Sequence, residues 1–148
     1  MVFMRFVSVL SRCTTLFRTE RLEGTGISSC QYPYITAVCR HPGISQDELG
    51  RQLYIPKCNV SRQLSSLESA GFITRRRSES DGRVLEVYPT EKAEAVLPVI
   101  RDMLREWNAY LTEDITEEEQ AVLSRVMERM LSRAEAYAGG ALSGRKEK

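Results

Sequence analysis

Two short amphipathic helix patterns joined by a tight turn, and followed at once by an arginine-rich hairpin pattern, fill residues 44–83. The first pattern opens at Ser45, three residues ahead of Glu48, which is the spacing of a capping box. Leu49 and Leu53 give it an apolar side, and Tyr54 and Ile55 form the turn. Pro56 suits the first turn of the next helix, where its missing N–H costs nothing. That helix turns Val60, Leu64 and Leu67 inward and stops at Gly71, a residue suited to the left-handed backbone of a helix end. Residues 72–76 and 84–88 read as strands. Ser78-Glu79-Ser80-Asp81-Gly82 lies between them, with Asp81-Gly82 as the turn signal.

Longer helix patterns flank this stretch. Residues 2–17 carry Phe3, Phe6, Val7, Leu10, Cys13, Thr14 and Phe17 on one stripe, and Gly24 to Gly26 break it. Ser28 with Gln31 reads as a capping box for a second helix, which turns Tyr32, Ile35, Val38 and Cys39 inward. Pro33 falls one turn into that helix and predicts a bend. After the hairpin, Thr90 caps a long helix with Val96, Leu97, Ile100, Met103, Leu104, Trp107 and Leu111 on one side. Pro98 predicts a kink in it. Thr116 with Glu119 opens a last helix, with Val122, Leu123, Val126, Met127, Met130, Leu131 and Ala134 inward. Gly139-Gly140 and the residues to Lys148 read as a frayed tail.

Charge is unevenly placed along a chain of 148 residues with a net charge of +1. Residues 55–83 hold six basic side chains against three acidic ones, whereas residues 111–120 hold five acids and no base. A basic face on a near-neutral protein suits groove binding better than general coating of a polyanion. The major groove of duplex DNA is about 12 Å wide and admits one α-helix. On the second short helix, Asn59, Ser61, Arg62 and Gln63 are turned outward when Val60 and Leu64 face in. Asn and Gln can pair two-pronged with adenine, and Arg with guanine. Ser45, Lys57, Arg75, Arg76 and Arg77 are the candidates for backbone phosphates. Arg83 is the candidate for a narrow minor groove, with Asp81 steering its guanidinium through a charge-assisted bond.

These residues resemble the multiple-antibiotic-resistance regulator (MarR) family of winged-helix transcription factors. The matching positions are Ile27-Ser28 with Gln31, then GISQDELGRQL, then Lys57, Val60-Ser61-Arg62, Leu64, Leu67-Glu68 and Gly71-Phe72-Ile73. Arg75-Arg76 with Asp81-Gly82-Arg83 looks like the family's wing signature. Three positions depart from it. Pro89-Thr90-Glu91-Lys92-Ala93 stands for Leu-Thr-x-x-Gly, Gly50 for the usual alanine, and Pro56 for an acidic or polar cap.

The resemblance implies a mainly α fold with a small β-hairpin, a winged helix-turn-helix flanked by N- and C-terminal dimerisation helices. On that reading residues 1–22 are the N-terminal dimerisation helix and 27–89 the DNA-binding domain. Residues 90–138 complete the dimerisation region, and 139–148 form a disordered tail. The function implied is a ligand-responsive repressor, a homodimer on a pseudo-palindromic operator. The apolar stripes of the first and last helices independently favour a dimer. A small aromatic effector is also implied, with Phe17, Tyr32, Tyr34 and Trp107 as candidate lining residues, and Phe6 and Met103 beside them. Two alternatives share the fold. One is a thiol-based redox sensor using Cys13 on the first helix or Cys58 at the start of the recognition helix; Cys13 reads better as a buried, inert thiol. The other is a winged helix that binds protein, which four wing arginines disfavour.

Other classes of function lack their residues. His41 is the one histidine, and the four cysteines, Cys13, Cys30, Cys39 and Cys58, include no C-x-x-C pair. A metal site, a cofactor and a His-based catalytic centre are therefore not expected, and neither is an enzyme. The opening MVFMRFVSVL is interrupted by Arg5 and is too short to span a bilayer. It also lacks a clear cleavage site, so no signal peptide and no membrane partner are expected. A cytoplasmic protein with reduced thiols is the expectation.

Overall fold

The computed structural model describes residues 3–143, in six helices and a three-stranded antiparallel sheet. In chain order these are α1 (Phe3–Arg21), α2 (Tyr32–Arg40), β1 (Ile44–Ser45), α3 (Gln46–Gln52), α4 (Lys57–Ser69), β2 (Ile73–Arg77), β3 (Leu85–Pro89), α5 (Glu91–Leu111) and α6 (Glu117–Ser143). None of the described helices is long and apolar enough to cross a membrane.

The core lies where α2, α3, α4, the sheet and the first half of α5 meet. Ile35, Val38, Leu49, Val60, Leu64, Leu67 and Val87 are wholly buried there, with Tyr34, Phe72 and Ile73 nearly so. The spacing of Val60, Leu64 and Leu67 puts all three on one side of α4, as their periodicity predicts. α3 and α4 approach closely at Gly50. A Cβ there would meet Val60 Cγ2 at 3.2 Å and the Ile55 carbonyl at 3.3 Å. The four-residue connection works because Tyr54 takes a left-handed backbone (φ 54°), a conformation unusual for a non-glycine residue.

Strand β1 escaped the sequence pattern. Its two residues pair with β3, Ile44 opposite Val87 and Ser45 opposite Glu86. Two paired residues are too few to show an alternation, so the hairpin expected from the sequence is in fact a three-stranded sheet ordered β1-β3-β2.

Helix ends differ from expectation in instructive ways. Ser45 caps α3 as predicted, its Oγ accepting the Glu48 N–H at 3.1 Å. Thr116 and Glu119 form a complete reciprocal box. At Ser28 only half a box forms: Gln31 Oε1 accepts the Ser28 N–H at 2.9 Å, while α2 begins later, at Tyr32. Pro33 therefore sits in the first turn, where no helical bond is due, and does not bend α2. Thr90 holds the N-cap position of α5 without capping it. Its hydroxyl donates backward to the carbonyls of Gly71 (2.7 Å) and Phe72 (3.0 Å). Pro98 lies on the exposed side of α5, which continues past it to Leu111.

The two terminal helices depart furthest from expectation. α1 buries only Thr14, which accepts a hydrogen bond from Trp107 Nε1 at 2.9 Å. Beside it the Phe17 and Trp107 rings stack with centroids 4.6 Å apart. Of the described side chains of α6 none is buried, so the stripe from Val122 to Leu131 faces outward instead of inward. The helix also does not fray at Gly139-Gly140 but continues to Ser143; the rest of the expected tail, 144–148, lies outside the described residues.

Two glycines allow the cost of backbone handedness to be separated from crowding. Gly71 (φ 79°) has open space around a would-be Cβ, whereas at Gly43 (φ 85°) that atom would meet Tyr88 Oη at 3.0 Å. Gly71→Ala should therefore cost about 1–2 kcal/mol from the left-handed backbone alone. Gly43→Ala should cost more, because Tyr88 must also move. Urea unfolding midpoints check the order; equal losses would remove the Tyr88 contribution.

Candidate nucleic-acid interface

Because its apolar stripe is buried, α4 presents its remaining sides outward. Lys57 reaches across to α3, its Nζ 3.0 Å from Asp47 Oδ1, in a pair exposed enough to be worth at most about 1 kcal/mol. One turn on, Arg62 Nη2 donates to Asn59 Oδ1 at 3.1 Å. Arg62 is exposed, while Asn59, Ser61 and Gln63 are half-buried. The structure thus brings Asn59, Ser61, Arg62 and Gln63 together on the N-terminal half of one helix.

The three consecutive arginines of β2 have three different environments. Arg75 was expected at a phosphate but is committed internally. Its Nε and Nη2 donate to Glu68 Oε2 at 3.1 and 2.7 Å, and its backbone N–H donates to Glu68 Oε1 at 3.0 Å. Nη2 also reaches Ser65 Oγ at 3.1 Å, and the Arg75 side chain is only 17% exposed. These bonds hold the Glu68 carboxyl below the usual carboxylate range, with the Arg75 side chain as the main cause. Arg76 points to the other side of the sheet, its guanidinium 4.0 Å above the Tyr88 ring. Tyr88 donates to Glu86 at 2.9 Å, and Glu86 stands opposite Arg76 on β3. Hydrogen bonding from Ser78 and Tyr88 lowers the Glu86 carboxyl, and the bond to Glu86 raises the Tyr88 phenol. Arg77 Nη1 donates to the Gly82 carbonyl at 2.5 Å and so closes the wing loop.

The loop itself is built around Asp81. Its Oδ1 accepts the backbone N–H of Arg83 at 3.0 Å, and its carbonyl accepts Val84 N–H at 2.9 Å. Asp81 therefore shapes the turn and does not hold the Arg83 guanidinium, as had been expected from the sequence. Among the described residues that guanidinium has no carboxylate or carbonyl partner, and Arg83 is exposed. Ser45, half-buried, has its oxygen engaged as the α3 cap.

Sequence reasoning missed Glu68, Ser65, Glu86 and Tyr88. A signal existed for Glu68: it lies seven residues before Arg75 with Gly71 between them, so a reversal at that glycine returns the chain beside it.

The expected effector pocket divides. A groove of about 960 Å³ between α1 and α5 is lined by Phe6, Phe17 and Trp107, with the Arg21–Glu106 ion pair at its rim. Tyr34 is not in it. It is 1% exposed in the core, where burial pushes its phenol up. Met103 is likewise core, and Tyr32 lies beneath the Arg18 guanidinium, 4.9 Å away. Cys13, read from sequence as buried, is exposed and lines the groove; Cys58 is exposed on α4. Among the described residues no group of His, Cys, Asp or Glu could hold a metal ion.

Residues 25–84 match the family model of the MarR family, covering both helices of the motif and most of the wing. Over those residues the chain is similar to the MarR family. Across its length it is 27% identical over 135 residues to the HTH-type transcriptional regulator BilQ of Clostridium symbiosum, spanning 91% of this chain and 94% of that one. The MarR protein of Peptoclostridium difficile has the same fold, with a TM-score of 0.92 at 23% identity over 95% of this chain and 92% of the other. A MarR-family regulator of Listeria monocytogenes, solved with a 26mer DNA, superposes with a TM-score of 0.86 at 22% identity, covering 95% and 94%. The BilQ protein and the Listeria monocytogenes protein that this chain resembles are transcriptional regulators.

The lowered Glu68 carboxyl has a definite pH signature. A group whose folded value lies below its unfolded value, about 4.3 for Glu, stabilises the fold above that value and loses the contribution as pH falls through the folded one. Glu68→Gln should thus lower stability near neutrality, and its deficit against the parent should shrink in acid. Urea unfolding from about pH 7 to about pH 3 measures this; a deficit unchanged across the range would sever the link to Glu68 ionisation.

Proposed function

We propose that this chain is a MarR-family regulator that binds duplex DNA as a homodimer on a pseudo-palindromic operator and represses transcription until a small aromatic effector releases it. One observation carries the DNA reading. Lys57 at the start of α4 and Arg83 of the wing border one surface hollow, and among the described residues the Arg83 guanidinium has no carboxylate or carbonyl partner. The Listeria monocytogenes relative in its DNA complex supports the same use of the fold.

Residue roles follow the geometry. Arg62 and Gln63 face the major groove, with Ser61 beside them. Asn59, its oxygen already engaged by Arg62, offers a base chiefly its amide donors, which suit acceptors such as guanine N7 and O6 or thymine O4. Lys57 exchanges a weak exposed pair with Asp47 for a phosphate. Arg83 enters the minor groove. Arg76, balanced by Glu86 across the sheet, contributes less, and Arg75 and Arg77 support the wing from within.

The homodimer rests on apolar surface that one chain leaves open. Phe6 and Leu16 of α1 are 67% and 72% exposed, and Leu131 of α6 is 56% exposed. Covering such side chains is worth about 1.5–3 kcal/mol each. A two-fold dimer also sets two recognition helices about 34 Å apart, one turn of DNA. The effector is placed in the α1–α5 groove, where Phe17 and Trp107 offer stacked rings.

Arg83→Ala should weaken specific binding by about 1–3 kcal/mol, read by fluorescence anisotropy on a duplex selected from a random pool. Unchanged affinity would show that the wing tip stays out of the groove. Independently, Val126→Glu with Leu131→Glu should convert the protein to monomers in sedimentation and lower duplex affinity at least tenfold. A dimer that survives both charges would place the interface elsewhere.

A further inference from the structure

We infer that the Glu68–Arg75 pair is a positioning clamp that sets the angle between recognition helix and wing, so that Arg83 meets the minor groove while α4 occupies the major one. The inference rests on the DNA-binding reading for its consequence, but its geometry stands alone. Glu68 is the next-to-last residue of α4, and Arg75 is the third of β2. Between them Gly71 (φ 79°) turns the chain, and the reversal is closed by the Gly71 and Phe72 N–H groups, which donate to the Glu68 and Leu67 carbonyls at 3.0 and 2.9 Å. Those bonds reach only as far as Phe72, so the direction of β2 beyond it is set by other contacts.

Three bonds to one carboxylate do this. Both Glu68 oxygens are used: Oε1 takes the Arg75 backbone N–H, and Oε2 takes its guanidinium through Nε and Nη2. The backbone bond locates the strand, and the planar two-nitrogen fork orients it. Ser65, one turn earlier on α4, takes Nη2 as well, so the guanidinium spans two turns of the helix. The pair lies at the base of the hairpin, and Arg83 at its far end. A small rotation at the base is therefore enlarged at the tip.

The rest of the hairpin base is held on the other side. Thr90 donates to Gly71 and Phe72, and Lys92 Nζ donates to the Ala70 carbonyl at 2.7 Å. These bonds tie α5 to the reversal but do not touch β2 beyond Phe72. Beside the apolar packing of Ile73, only the Glu68 clamp joins α4 to the strand by side-chain hydrogen bonds among the described residues. The low-lying Glu68 carboxyl agrees with a pair that stays charged.

Because the clamp acts through Arg83, the two should not be additive. Anisotropy titrations on the selected duplex would compare the parent with Glu68→Gln, Arg83→Ala and the double variant. Glu68→Gln is expected to lose affinity about tenfold, close to 1.4 kcal/mol. The double variant should bind no worse than Arg83→Ala alone. Hydroxyl-radical footprints should lose the flanking minor-groove protection and keep the central protection. Hydrogen exchange of the DNA-free protein should quicken in residues 73–89 with α2 unchanged. Additive losses, an unchanged footprint, or unaltered exchange in the hairpin would each overturn the clamp. A parent that binds no duplex would overturn the DNA reading instead, and the exchange experiment would still decide whether the pair holds the wing.

Discussion

The contact of Gly50 with Val60 and the Ile55 carbonyl decides where every outward residue of the helix-turn-helix points. With no Cβ at position 50, α3 and α4 approach until Val60, Leu64 and Leu67 reach the core formed with Leu49, Ile73 and Val87. Once those three are inside, helical geometry leaves Arg62 no direction but outward. The polar face is thus a product of apolar packing. Gly50, where the family commonly has alanine, costs α4 nothing and brings the two helices closer, at the expense of some helix propensity in α3.

The helix-turn-helix was legible because its signals are local. Ser45, Gly71 and the Val60 repeat each act within one or two turns, and each is found in its expected place. The wing was legible as two strands, displaced by one residue. Its inner chemistry was not. Arg75, Arg76 and Arg77 are identical in sequence, yet pleating sends Arg75 toward α4 and Arg76 to the opposite face, while Arg77 closes the loop. Run composition suggested three phosphate ligands. Register alone distinguishes them, and register depends on β3, ten residues further on.

The aromatic candidates divide for a related reason. Periodicity placed Phe17, Tyr32 and Trp107 on an inward side of their helices, whereas Tyr34 came only with the implied effector pocket. Which interior each one enters is a tertiary fact. Tyr34 entered the core of the DNA-binding lobe, whereas Phe17 and Trp107 stack along an open groove. Cys13 belongs with the latter pair, since α1 has little beneath it except Trp107 and its neighbours on α5.

Helix α5 shows why one chain holds a finished lobe and an unfinished one. Ala93, Val96, Ile100 and Met103 repeat at three- and four-residue steps and are buried against α2 and the sheet. Beyond Met103 the same stripe continues as Trp107 and Leu111, but the lobe beneath it has ended. Those residues instead border the groove shared with α1. Sequence periodicity is continuous across this point, so it announces an apolar side without saying whether the chain itself covers it. α6 makes the same argument in its purest form: its stripe has helical spacing throughout, and none of its described side chains is buried. An apolar repeat therefore records a demand for burial, and in the outer half of α5, in α1 and in α6 the described residues leave much of that demand unmet.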